Sequence, residues 1–247
     1  MPSWPDEFLA DIAKRLERWY EQHGRRFPWR AVSDPYVIFA TEFLLQRTRA
    51  ETIEAAFHDF FTRYPTVRAL AEAAPEDVRR FFSRLGLLYR GERLWAAARE
   101  IVEKHGGAVP DSMEELLKLR GVGVYIASAV LNFGFGVPTP VVDKNVLRVM
   151  NRLANIVSET EARRFIAALF RRGDHRRIAY ALIDLGALVC TETPRCEKCP
   201  LASVCPRHPL RKGDWRMLRK VVRKDGSVRL QEQPVVSRRR RATLRSR

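Results

Sequence analysis

Apolar residues recur at three- and four-residue intervals along most of this chain, the spacing that lines one face of a helix. Phe8, Ile12, Leu16 and Trp19 mark the first stripe and predict a helix over 4–22. Gly24–Asp34, rich in Arg, Pro and Trp, predicts a loop. After Pro35 the helical pattern resumes through Phe39 and Glu42 to about Phe57 and reads as one helix. Shorter helices are expected at 66–72, 75–83, 90–104, 112–118, 124–134, 144–153, 159–170 and 175–190. Strand alternation is nearly absent before residue 218, so the expected fold class is all-α. Beyond that point Arg219–Leu230 (R-K-V-V-R-K-D-G-S-V-R-L) predicts either a small basic hairpin turning at Asp225-Gly226 or a segment that orders on binding. The run Arg238–Arg241 reads as disordered in isolation.

Composition sharpens this outline. With 247 residues, 46% of them apolar, the chain can bury an ordinary globular core in one or two domains. Its formal net charge is +16, unevenly spread: Arg207–Arg247 holds 15 Lys or Arg against 3 acids, a net of +12, which leaves +4 for residues 1–206. Such a surface implies a densely negative partner, of which nucleic acid is the usual one; the plainer reading is a solubilising tail. No stretch is apolar enough to span a membrane and no signal peptide opens the chain, so a cytoplasmic location is expected, nucleoid-associated in a prokaryote.

The four cysteines all fall between Cys190 and Cys205 as C-x5-C-x2-C-x5-C: Cys190, Cys196, Cys199 and Cys205. Four soft thiolates in one short segment ask for a thiophilic centre, either a [4Fe-4S] cluster or tetrahedral zinc. Disulfide pairing is the plainer alternative, although a chain with its own core has little need of staples.

Three further features carry chemistry. Leu116–Ala129 reads as helix, Gly-x-Gly turn, helix, where Gly121, Val122 and Gly123 would let a backbone phosphate approach the amides of the second helix; a bare helix connection is the alternative. Asp143, between Pro140-Val141-Val142 and Lys144-Asn145-Val146, suits a helix N-cap. It equally suits a carboxylate aimed at an anomeric carbon, where cleavage of an N-glycosidic bond builds cationic charge. Glu42 stands in the apolar run Ala40–Leu45. If buried there it would keep its proton and could donate it; a place at the helix edge is the alternative.

Taken in order, F-P-W-R at Phe27–Arg30, D-P-Y at Asp34–Tyr36, T-E-F-L-L-Q-R-T at Thr41–Thr48, L-R-G-V-G-V-Y-I-A-S-A-V at Leu119–Val130, P-V-V-D-K-N-V at Pro140–Val146 and the cysteine array resemble the helix-hairpin-helix (HhH-GPD) DNA glycosylases, across roughly residues 8–206. The resemblance implies an endonuclease III-like fold of two helical lobes with DNA in the cleft: a six-helix barrel over 33–136, and a second lobe from 1–32 plus 137–206 carrying a [4Fe-4S] cluster. A basic extension, 207–247, follows. It further implies a monomer acting on double-stranded DNA with a mismatched or damaged base, with Asp143, Tyr125 and Glu42 catalytic. Arg30, Gln46, Arg47, Thr48, Leu87, Lys144 and the Gly121–Gly123 turn would touch DNA, with Gln46, Arg47 or Leu87 filling the gap left by an everted base. Relatives usually place six residues between the first two cysteines; here there are five.

Within the family, the second residue after Gly123 matches the lyase lysine of endonuclease III, and here it is Tyr125, which cannot form a Schiff base. The adenine glycosylase branch typically has serine at this place and the thymine–guanine mismatch branch tyrosine. Leu87-Leu88 replaces a tyrosine pair of the adenine branch, and 42 residues follow Cys205, too few for that branch's 8-oxoguanine-reading domain. The expectation is therefore a monofunctional glycosylase for thymine or uracil opposite guanine. A truncated adenine glycosylase is the alternative, removal of another damaged base is a third possibility, and an idle iron-sulfur DNA-binding module, with Asp143 as cap only, is a reading of a different class.

Overall fold

A computed structural model describes residues 4–206, except Arg47 and Leu87, together with the backbone of 216–222 and 228–234. Among the described residues the chain forms eleven α-helices: α1 Asp6–His23, α2 Pro35–Leu45, α3 Ala50–Arg63, α4 Val67–Glu72, α5 Pro75–Arg84, α6 Leu88–His105, α7 Met113–Lys118, α8 Val124–Ala129, α9 Lys144–Ala154, α10 Glu159–Phe170 and α11 His175–Leu188. A 3-10 turn, Pro28–Arg30, precedes α2, and a π-helical turn, Val130–Gly134, extends α8. Side chains of Asp34, Thr66, Ser112, Asp143, Ser158 and Asp174 accept a backbone N–H in the first turn of the helix each precedes. These caps supply partners for amides that a helix start leaves without one.

The core is built around α2. Tyr36, Ile38–Leu44 and their neighbours are buried on all sides, the signature of a helix surrounded by others. It packs against α3, α6, α8 and the π turn; α6 in turn covers α4 and α5. On the other side α1 lies along α11 and α10, burying the stripe Leu9, Ile12, Ala13, Leu16, Trp19 and Tyr20, and α9 packs on α11. The π turn touches both α2 and α11, and Arg176 of α11 donates to the carbonyl of Phe133 within it.

Two expectations need correction. The single helix from Pro35 to about Phe57 is two helices: the backbone turns extended at Gln46 (ψ 112°) and α3 begins at Ala50. A straight continuation would carry Arg49 and Glu51 into the environment that buries α2, whereas α3 buries one face only, through Ile53, Phe57 and Phe60. The helix expected over 124–134 leaves α geometry at Ala129 and finishes in the π turn. The remaining helices agree within a few residues. The fold is all-helical up to 206. The hairpin forms as antiparallel strands β1 Arg216–Val222 and β2 Val228–Pro234, with Val222 opposite Val228. Its expected Asp225-Gly226 turn and the Arg238–Arg241 run lie outside the described residues.

Between α7 and α8, Gly121 adopts φ +82°. A Cβ there would stand 3.1 Å from Phe43 and from Arg93. Both the backbone angle and the crowding therefore require glycine. Gly121→Ala is expected to lower stability by about 1–2 kcal/mol, read as a lower urea midpoint at unchanged m-value.

Candidate active site

The two acids and the tyrosine singled out from the sequence come together. Glu42 from α2, Tyr125 from α8 and Asp143 at the start of α9 line one pocket of about 360 Å³, with Arg30 and Thr48 at its wall. That size is at the small end of ligand pockets, roughly 300–1,000 Å³. Glu42 is 7% exposed, so the surface-edge reading falls. Burial, opposed by Arg30 and reinforced by the negative charge of Asp143, pushes its carboxyl up to about 7. Tyr125 keeps part of its surface open, and burial together with the charges of Glu42 and Asp143 raises its hydroxyl well above the ordinary phenol value.

Asp143 is both a cap and a wall of the pocket. Its Oδ1 accepts from the Val146 amide at 2.7 Å, and its Oδ2 accepts from Asn145 Nδ2 at 3.1 Å. Asn145 Oδ1 then accepts from Arg148 (3.0 Å), whose Nε donates to the carbonyl of Cys190 at 2.8 Å. Gly186 permits this arrangement, since a Cβ there would meet Asn145 at 2.9 Å.

A second buried carboxylate stands behind the pocket. Asp184 of α11 is 0% exposed and accepts from Arg30 Nη1 and Nη2 (2.6 and 2.9 Å), from Arg25 Nε (2.7 Å) and from the Arg25 amide (2.8 Å). Burial works against the charge of Arg30, but these bonds more than offset it and its proton affinity rises. The clamp holds the loop Phe27–Arg30 against α11, where Phe27 and Trp29 stack at 4.6 Å and line the pocket.

The other expected contacts spread outward. Gln46 ends α2 and Gly121–Gly123 form the turn before α8, neither on the pocket wall. A Cβ at Gly123 would meet nothing within 4 Å, so the backbone is open to approach there. Lys144 is exposed on α9. Arg47 and Leu87 lie outside the described residues.

All four cysteines are partly buried and none is joined in a disulfide among the described residues, which removes the disulfide alternative for this structure. Burial, followed among the raising influences by the neighbouring Cys190 and Cys205, lifts the Cys196 thiol; burial pushes Cys199 up to about 12, with the other three thiols adding to it. In number and chemistry they fit a four-thiolate centre, but among the described residues no three side chains converge as a metal-holding group. Arg152 donates to the Cys190 sulfur at 3.3 Å and to the Thr191 carbonyl at 2.6 Å, pinning the start of the loop to α9.

A profile of the HhH-GPD superfamily of base excision DNA repair proteins matches residues 40–172, which hold Glu42, Tyr125 and Asp143. The chain belongs to that superfamily. A thymine-DNA glycosylase of Aeropyrum pernix is 34% identical over 211 residues, covering 80% of this chain and 94% of the relative. An adenine DNA glycosylase of Mycobacterium tuberculosis is 39% identical over 202 residues, covering 78% of this chain and 66% of that protein. The solved structure of a thermostable thymine-DNA glycosylase superposes with a TM-score of 0.76 at 29% identity, covering 83% of this chain and 98% of that one. This HhH-GPD protein is thus a DNA glycosylase, an enzyme of DNA repair. Among the described residues no helix is long and apolar enough to cross a membrane.

Sequence reasoning missed Arg25, Asn145, Tyr180 and Asp184. Asp184 carried the same signal as Glu42, a lone acid in an apolar run (Ala181-Leu182-Ile183-Asp184-Leu185). Nothing in the sequence marked the other three.

Glu42 makes the stability of this HhH-GPD protein pH-dependent. Its carboxyl keeps a proton to about pH 7 when folded and to 4.5 when unfolded, so folding takes up a proton between those values. This contribution is fully present below pH 4.5 and is lost as pH rises toward 7. Glu42→Gln should remove it, so that wild type loses roughly 3 kcal/mol relative to the variant across the window, read from urea midpoints at a series of pH values.

Proposed function

We propose that this HhH-GPD protein is a monofunctional glycosylase that removes thymine or uracil mispaired with guanine and leaves the strand intact. The observation that carries the reading is the meeting of Glu42, Asp143 and Tyr125 at one pocket, with a tyrosine where a lyase would need an amine. The thymine-DNA glycosylase of Aeropyrum pernix, matched over 94% of its own length, supports the base preference. Adenine removal is the second reading, favoured by the 39% identity to the mycobacterial adenine enzyme.

In this account the basic surface draws in duplex DNA, and the Gly121–Gly123 turn takes a backbone phosphate, which positions the duplex without reading its sequence. A mispaired nucleotide is cheaper to extrude than a paired one and swings between two lobes, 33–136 and 1–32 with 137–206. Gln46, Arg47 or Leu87 fills the vacated stack. Glu42, protonated near neutral pH, donates a hydrogen bond to the base, and the Asp143 carboxylate stabilises the cationic sugar and positions water at C1′. Tyr125 packs at the sugar or base; Arg30, Thr48 and Lys144 add contacts to DNA. The protein works as a monomer. Cys190, Cys196, Cys199 and Cys205 would hold a [4Fe-4S] cluster, which when bound orders the loop between them and does not take part in hydrolysis.

Asp143→Asn tests the acid while keeping the cap on Val146, because asparagine caps a helix as well as aspartate, and loses the bond accepted from Asn145. Base release should fall by at least a hundredfold while mismatch binding and stability hold. Asp143→Ala should in addition lose about 1 kcal/mol of stability; equal loss of binding and release in Asp143→Asn would mark a structural cap only. Single-turnover release on T·G, U·G, A·G and A·8-oxoguanine duplexes, with and without alkali, decides the base. Release of thymine and uracil with nicking only after alkali is expected, and adenine release alone would move the protein to the second reading.

The extension 207–247 adds phosphate contacts irrespective of sequence. Truncation after Pro206 should flatten the dependence of log affinity on log salt; an unchanged slope would refute that role.

A further inference from the structure

Tyr180 of α11 lines the pocket beside Glu42 and Tyr125, 6% exposed and outside the span matched by the family profile. Its ring is held by three neighbours: Phe133 stacks on it at 3.9 Å and 5°, Tyr20 lies at 6.0 Å and 16°, and the Arg30 guanidinium carbon lies 4.5 Å from its centroid. Arg30 is itself clamped by Asp184, so the ring has little freedom. The hydroxyl at the end of this ring is buried and finds no hydrogen-bond partner among the described residues. A buried polar group without a partner costs stability, and phenylalanine would fill the same space without that cost. Such a group in a substrate pocket is explained by a partner that arrives with the substrate.

We propose that the Tyr180 hydroxyl donates a hydrogen bond to a carbonyl oxygen of the everted pyrimidine and stabilises the charge that develops on the departing base. The proposal rests on the reading of the substrate as thymine or uracil. In base release the C1′–N1 bond breaks and both its electrons leave with the base. The negative charge on N1 spreads onto O2 and O4, where a donor in a dry pocket acts most strongly. Water then closes the sugar cation through its oxygen at C1′, and the proton it releases ends on the base nitrogen. Tyr180 keeps its own proton throughout: burial, opposed by Arg30 and aided by Glu42, raises its hydroxyl above the ordinary phenol value. Adenine offers no carbonyl to this donor, so the same hydroxyl weighs on base choice.

The test is single-turnover release by wild type and Tyr180→Phe on duplexes with T, U, 2-thiothymine or 4-thiothymine opposite G, with melting temperatures alongside. Tyr180→Phe is expected to melt at the wild-type temperature or above, and to release thymine and uracil about tenfold to a hundredfold more slowly. The penalty should shrink on the one thio-base whose sulfur replaces the bonded carbonyl, because sulfur accepts weakly. Release at the wild-type rate, or an equal penalty on all four bases, would overturn the donor role while leaving the substrate reading in place. Wild type that releases adenine and neither pyrimidine would overturn the substrate reading and this inference with it, and that outcome is visible without any variant.

Discussion

The site depends on how a small set of buried charges is divided. Three carboxylates, Glu42, Asp143 and Asp184, approach the same region, and two guanidiniums, Arg25 and Arg30, stand among them. Asp184 takes both arginines, with a pair of bonds from Arg30 and a pair from Arg25. A buried charge is tolerated only when so satisfied, and removing one partner is far more costly than the pair is worth. The consequence falls on Glu42. Arg30 lowers its proton affinity only through space, and burial beside Asp143 overrides that help. Asp184 is satisfied by direct bonds, and Glu42 in the pocket wall is left to keep its proton.

Asp143 shows why a structural and a chemical role need not compete. The cap at α9 fixes the carboxylate by its bonds to Val146 and Asn145, and that fixed position is what a charge aimed at a sugar requires. The chain of contacts continues through Asn145 and Arg148 to the Cys190 carbonyl, so the geometry of the acid and the start of the cysteine segment are mechanically connected. Close packing of α9 on α11 at Gly186 completes the link. Order in the loop after Cys190 therefore bears on the acid without any electronic role for a metal.

Most helices were legible because their signals are local: a capping Ser, Thr or Asp before an amphipathic stripe. The break after Leu45 was not, because no Gly or Pro marks it; it follows from the change between a helix buried all round and one buried on a single face, which is a tertiary fact. Glu42, Tyr125 and Asp143 could be picked as an acid in an apolar run, a substitution at a motif position and a capping acid, but only the fold sets residues 42, 125 and 143 against one another. Asp184 was legible by the rule that flagged Glu42 and was passed over. Tyr180 and Asn145 had no local signature, since an aromatic on a helix reads as core until its hydroxyl is found without a partner. The cysteine spacing marked four thiols as a set, while among the described residues no three side chains converge as a metal-holding group.

The pocket also separates recognition from chemistry by the kind of surface each needs. Two flat aromatic pairs, Phe27 with Trp29 and Phe133 with Tyr180, contribute to its wall, with interplanar angles of 11° and 5°. A planar base can slide along such walls or stack on them, and stacking alone is indifferent to which base it is. On the proposed reading, discrimination then falls to polar atoms at the edge of the base, and Glu42, Tyr125 and Tyr180 of the pocket wall are offered for it. All three favour their protonated, uncharged forms, by burial first in each case. Uncharged donors suit a neutral ring whose carbonyl oxygens gain negative charge as it leaves. In the proposed mechanism the carboxylate of Asp143 lies near the sugar, where the opposite charge grows, and its cap at the start of α9 fixes its position. On the proposed reading, donors around the base and a fixed carboxylate at the sugar would follow from burial and capping, two properties of the fold that precede any contact with DNA.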